Sequence, residues 1–225
     1  MIVRAHLSAQ SLRFITLTSP VYLPDSVKAL QERYGFVRVP TTADELLSPA
    51  DNTKPIILNH GKFVQGERGI LITALQLYPR AIAVDTPTST DDSDAVLADL
   101  FAWANSNVPV IQVSPRQLYI SQLEVEFEPP LEAACAVAAS FGDRLATLVS
   151  GYGSEAPIPT FQVASFLMQV DPAKLVVTDF RIERRASVPY EQNLYFSQAP
   201  LQTADHITVL EEFERAMQQT REGIS

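Results

Sequence analysis

Cysteine is almost missing from this sequence. The one residue, Cys135, sits among Ala133, Ala134, Ala136 and Ala138, which leaves no internal disulfide and no zinc site of several thiolates. Its alanine surroundings read as those of a buried, inert thiol, because a nucleophilic cysteine needs an electropositive, partly open site. Histidine is nearly as scarce. His6, His60 and His206 form no HxH or HxxxH pair of the kind that grips a metal from one element. Lysine stands only at positions 28, 54, 62 and 174, and none of these lies in a phosphate loop. Glycine is thin at eight residues. No GxGxxG run occurs, and Gly66-Glu-Arg-Gly69 follows no strong strand and opens no helix, so turns explain its glycines. Ser150-Gly-Tyr-Gly-Ser154 is not GxSxG and follows a helical stretch, the wrong setting for a serine nucleophile.

Long apolar runs are lacking too. The best, Leu131 to Val149, is broken by Glu132, Asp143 and Arg144, short of the roughly 20 apolar residues that cross a bilayer. Met1 to Gln10 has no signal-peptide core. Positive charge is the remaining shortage. A net charge of −9 and a pI near 4.8 oppose DNA, RNA and anionic membranes, where basic side chains must displace counterions. The expectation is a soluble, cytoplasmic protein with no cofactor, no metal and no membrane span, for which nucleic acid is a disfavoured partner.

What is present is an ordinary folding composition, 46% hydrophobic and 19% charged over 225 residues. A chain of this length buries enough surface to form a core unaided. Pro87, Thr90, Asp92, Val96, Leu97 and Asp99 recur in the same spacing as Pro200, Thr203, Asp205, Val209, Leu210 and Glu212. Each phrase follows a strand-like run and opens an amphipathic helix. Internal duplication explains the match, and so does convergence on good capping chemistry.

Hydrophobic periodicity supplies the rest. Strands are expected at Ser11–Thr18, Phe36–Val39, Pro55–Leu58, Ile70–Tyr78, Ala81–Asp85, Val110–Val113, Leu118–Phe127, Phe161–Val170, Leu175–Arg184 and Leu194–Phe196. Asp25 is expected to cap a first helix that Gly35 ends, and Thr42-Ala-Asp-Glu45 is a capping box. Thr90 is expected to cap a helix whose buried side carries Val96, Leu97, Leu100, Phe101 and Ala104. Pro129-Pro130 opens what reads as the longest helix, with Leu131, Ala134, Cys135, Ala138, Phe141, Leu145 and Leu148 on its buried side. A last helix buries Ile207, Leu210, Phe213 and Met217. The fold class expected is α+β: largely antiparallel sheet built from hairpins, four to five amphipathic helices, and a pseudo-repeat of a strand-strand-helix unit. Residues 1–150 form an α+β core, and 151–225 a second unit packed on it in one globular body, with Ser150–Thr160 as the linker.

Four constellations carry the functional reading. Glu124, Glu126 and Glu128 share one strand face, either solvated or open to a cation or basic partner. Arg181, Glu183 and Arg185 share another, with Arg184 behind. That face either neutralises itself or recruits an acidic partner, such as a second copy's Glu124–Glu128 row. Tyr190, Leu194, Tyr195 and Phe196 form an apolar irregular stretch that either packs in the core or makes an interface, where Tyr, Phe and Arg are enriched. His206 is exposed or capping, or pairs with Asp205 in acid–base or metal chemistry. No catalytic residue is singled out. The sequence therefore reads as a non-catalytic subunit acting through protein association, as a homo-oligomer or within a larger assembly, through strands that leave an edge to pair. The alternatives are a metal-dependent hydrolase with an unadvertised acidic site and a small-ligand-binding regulatory domain.

Overall fold

The computed structural model describes residues 1–18, 22–42, 45, 54–107, 111–134, 136–150, 161–169 and 178–223. In chain order these form β1 (Ile2–Leu17), α1 (Leu23–Tyr34), β2 (Ile56–Gln65), β3 (Arg68–Tyr78), β4 (Ala81–Thr86), α2 (Thr90–Asn107) and β5 (Ile111–Glu126). There follow α3 (Ala136–Ser150), β6 (Ser165–Met168), β7 (Phe180–Arg184), β8 (Leu194–Ala199) and α4 (Thr203–Gly223). The fold is α+β. Hydrogen-bonded neighbours run β2-β3-β4-β1-β5-β8-β7-β6 in one antiparallel sheet. Cys135 and the expected linker beyond Ser150 lie outside the described residues, as do residues 170–177 at the junction of the expected strands Phe161–Val170 and Leu175–Arg184.

The chain divides into two compact units. One holds residues 6–122 and 199–203; the other holds 1–5, 123–198 and 204–225. In the first, β3 and β4 make a tight hairpin, with Tyr78 opposite Ala81 across Pro79-Arg80. Its core gathers Ile56, Leu58, Ile72, Leu75, Ile82 and Val84 from the strands under Val27, Leu30, Val96, Leu97 and Leu100 from the helices. Arg33 and Tyr34 of α1 both bind Asp99 of α2, the tyrosine hydroxyl donating at 2.7 Å. In the second unit, Leu123 and Val125 of β5 and Phe127 just after it join Ile182, Tyr195, Leu210 and Met217 in a separate core.

Several local expectations need correction. The first strand begins at Ile2, nine residues early, because its buried side carries Ala9 and Ser11, too small and too polar to show as an apolar alternation. Ile111–Val113 and Leu118–Glu126 belong to one strand that runs through the exposed Pro115, and Val110 lies outside the described residues. Gly61 lies inside β2, where a Cβ would come within 2.6 Å of the buried Phe36 ring. Only Gly66, at φ 63°, sits in the β2–β3 turn.

Helix starts differ in detail. Asp25 does not cap α1; Tyr22 stands at the cap and Pro24 fills the first turn. Gly35 does end that helix, in the left-handed region, with its N–H on Gln31 O. Pro129-Pro130 opens a 3-10 turn at Leu131–Ala134 before α3, and α4 is longer than α3. Phe141 and Leu148 are exposed rather than buried. Gly142 of α3 is buried against the Phe161 carbonyl, where a Cβ would meet the oxygen at 2.7 Å.

Candidate functional site

The outer sheet face of the unit containing 123–198 brings together two of the rows read from sequence. Period two puts Leu123 and Val125 in the core and turns Glu124 and Glu126 away from it. On β7 the same alternation buries Ile182 and turns Arg181 and Glu183 outward. On β8 it buries Tyr195 and Ser197 and leaves Phe196 opposite Glu183. Arg185 Nε lies 2.9 Å from Glu124, and Arg4 of β1 binds Glu126. Arg181 pairs with Glu183 at 3.4 Å and holds its guanidinium 5.2 Å above the Phe196 ring. Both rows are engaged, each carboxylate on an arginine within the same unit. Half-exposed pairs of this kind contribute little, about 0–1 kcal/mol each.

Glu128 leaves the row. It follows the end of β5, its N–H donates to Glu214 at 2.9 Å, and its carboxylate accepts from Gln218 at 3.1 Å. Leu194 opens β8, and its carbonyl accepts the Arg185 N–H at 3.0 Å.

Arg184 points the other way, into a cradle of two tyrosines. Its guanidinium lies 4.4 Å from the Tyr190 ring and 5.1 Å from the Tyr195 ring. It donates to the Tyr190 carbonyl at 3.0 Å and to the Tyr195 hydroxyl at 3.1 Å. That hydroxyl also accepts the Leu131 N–H at 3.2 Å, while burial pushes the phenol pKa up. The aromatic segment is therefore divided. Tyr195 is fully buried, Phe196 lies on the outer face, and Tyr190 is exposed with the Arg184 guanidinium on its ring.

His206 is neither exposed nor at the helix cap. It is fully buried in the first turn of α4, with Nε2 at 2.9 Å from Ser197 Oγ and its ring edge-on to Phe180. Its Nδ1 has no partner among the described residues, and burial pushes the imidazole down to about 4. The neighbouring Asp205 is exposed. The histidine is held neutral and out of water, as a packing residue rather than one half of an acid–base couple.

Sequence reasoning missed the polar groups in the unit of residues 6–122. Asp94 accepts from Ser11 Oγ at 2.6 Å and Tyr119 Oη at 2.9 Å. Tyr119 Oη also accepts from Gln202 at 2.9 Å. Asp92 is buried at the start of α2, bound by Thr88 and by Arg68 at 2.8 Å. Asp85 accepts from Ser8 Oγ at 2.7 Å and from the Ala9 N–H, and burial raises its pKa. The only signal in the sequence was the density of hydroxyls and aspartates from Asp85 to Asp94. Among the described residues, no three His, Cys, Asp or Glu side chains gather as a metal site, and no helix is long and apolar enough to cross a membrane.

No protein-family model matches the chain, and no curated protein does. The remaining feature is the strand at the β6 edge. Phe161, Leu167 and Met168 are 41%, 52% and 59% exposed along a segment, Phe161–Gln169, that carries no charge.

Proposed function

We propose that this chain is a non-catalytic subunit that works through protein–protein association. The observation that carries the reading is the exposed apolar run at Phe161, Leu167 and Met168, beside the exposed Phe141 of α3. Exposed apolar residues gathered on an uncharged segment favour an interaction site over a solvated edge. The acidic-site alternative has less support, because Glu124 and Glu126 are each held by an arginine. A cytoplasmic setting agrees with the single cysteine.

An internal duplication belongs to the same proposal. The order strand, helix, three strands, helix occurs as β1 to α2 and again as β5 to α4 among the described elements. The matching phrases at 87–99 and 200–212 stand at the same step of each series, running from the end of the last strand into the last helix.

The test is the native mass of the chain in an extract of its own cells, by gel filtration after nuclease treatment. Elution well above the 24.8 kDa of the chain is expected. Elution as a monomer in the extract overturns the association reading.

A further inference from the structure

The phrases at 87–99 and 200–212 stand 113 residues apart, and the match continues on both sides of them. The strands before them, β4 and β8, are six residues each and keep the same offset. Ile82 and Tyr195 are buried at equivalent places, as are Val84 and Ser197. In the helices after them, Leu97 and Leu210 are buried in one register, and so are Ala104 and Met217. Amphipathic helices alone would give that much. Strand order gives more.

Let β1 to β4 correspond to β5 to β8. The order β2-β3-β4-β1-β5-β8-β7-β6 then reads the same from either end. Two copies following one another without reversal would put β6, not β5, beside β1. The two strands at the centre of the order, β1 and β5, are 16 residues each. Thr90 and Thr203, at the same step of the two phrases, obey the reversal too. The Thr90 N–H donates to Thr203 Oγ1 at 3.0 Å, and the Thr203 N–H donates to Thr90 Oγ1 at 2.9 Å. Residue i on j with j on i is the signature of a self-complementary contact between copies.

We infer that this chain is a tandem dimer: residues 2–107 and 111–223 are twin halves, and each is the binding partner of the other. The inference rests on the duplication proposed above and adds what the two copies do for one another. It also fixes a property of the chain path. Among twin halves the passage from α2 to β5 has an equivalent, from α4 to β1, which the chain leaves unused. Local contacts agree with that equivalence. Ile111, which opens β5, packs on the core that holds Phe101 of α2. Met1, just before β1, binds through its nitrogen to Glu214 of α4, the residue equivalent to Phe101. Three residues, 108–110, join α2 to β5. Residues 224, 225 and 1 supply the same number between α4 and β1.

The experiment is a circular permutant of the full chain, with Ser225 joined directly to Met1 and new ends opened between residues 108 and 109. A second permutant carries about ten Gly and Ser residues at the join, a flexible tether that spans the gap whatever its length. Both joins turn the Met1 amine into an amide, so the lost ion pair with Glu214 cancels between them. The expected result is that both fold to the wild-type far-ultraviolet circular dichroism, with equal urea midpoints. A direct join that unfolds at lower urea than the long one overturns the tandem dimer and leaves the duplication standing. Should neither permutant fold, a protease site placed between residues 108 and 109 of the unpermuted chain decides. The folded chain, once cut there, should keep both fragments together at the 24.8 kDa mass, with a urea midpoint that rises with concentration. Fragments that part or precipitate on cutting, with neither permutant folded, overturn the tandem dimer and the duplication together.

Discussion

Thr90 and Thr203 cap each other. The Thr90 N–H donates to Thr203 Oγ1 at 3.0 Å and the Thr203 N–H donates to Thr90 Oγ1 at 2.9 Å, with both residues buried in one compact unit. Both threonines were expected to cap their own helices. Instead Ser89 Oγ accepts the Asp92 N–H at 3.2 Å, and each threonine serves the other's backbone. A helix start leaves N–H groups without intrahelical acceptors. Two starts brought together resolve that need reciprocally.

This exchange predicts a coupled loss. Thr90→Val and Thr203→Val each remove one acceptor and strand one buried N–H, at a cost of about 1–2 kcal/mol. The double variant should lose less than the sum, because the two bonds share one geometry. Urea unfolding of the three variants checks this. Strict additivity, or no loss in either single variant, contradicts the reciprocal cap.

His206 sets a pH dependence. Its ordinary value of 6.5 falls to about 4 in the folded chain because burial penalises the imidazolium. The folded pKa is depressed, so the unfolded state takes up the proton first as pH falls. The contribution is complete above about pH 6.5, declines between 6.5 and 4, and is exhausted below. The span amounts to roughly 3 kcal/mol. His206→Gln should flatten this part of the stability profile, whatever it costs in packing. Parallel wild-type and variant profiles from pH 7 to 4, measured by urea midpoint, would count against it.

Tyr195 and Phe196 are neighbours with opposite fates. Tyr195→Ser opens a cavity in the core and strands the Leu131 N–H, for a loss of about 3–5 kcal/mol. Phe196→Ser removes a half-exposed ring under Arg181 and should cost about 1 kcal/mol, the size of an exposed cation–π contact. Thermal or chemical denaturation of the two single variants separates them. Equal losses would place both rings in the core.

Much of the local architecture was legible. The alternation of Leu123, Val125 and Phe127 with Glu124 and Glu126 is visible in the sequence and recurs as buried and outward sides of β5. Pro79-Arg80 marked a real hairpin, Gly35 a real helix end, and Thr42 with Glu45 a real capping box, with the Glu45 N–H on Thr42 Oγ1 at 3.3 Å. The buried side of α2 was right at Val96, Leu97, Leu100, Phe101 and Ala104. Where the reading failed, the local pattern was outvoted by a distant contact. Phe141 and Leu148 have helical spacing suited to a core, yet both are exposed, and Gly142 beside Phe141 is buried against the Phe161 carbonyl.

The candidate site shows the same division. Which residues share a strand face was readable, since it depends only on a period of two. That Glu124 meets Arg185 and Glu126 meets Arg4 was not, because each pair joins strands far apart in the chain. The burial of His206 and the cradling of Arg184 by two tyrosines were also invisible. Sequence by itself determined periodicity, turns and helix ends, which depend on groups a few residues apart. Tertiary structure alone decided strand order and the partner of each charge, because these depend on burial and pairing between segments that only the folded core brings together.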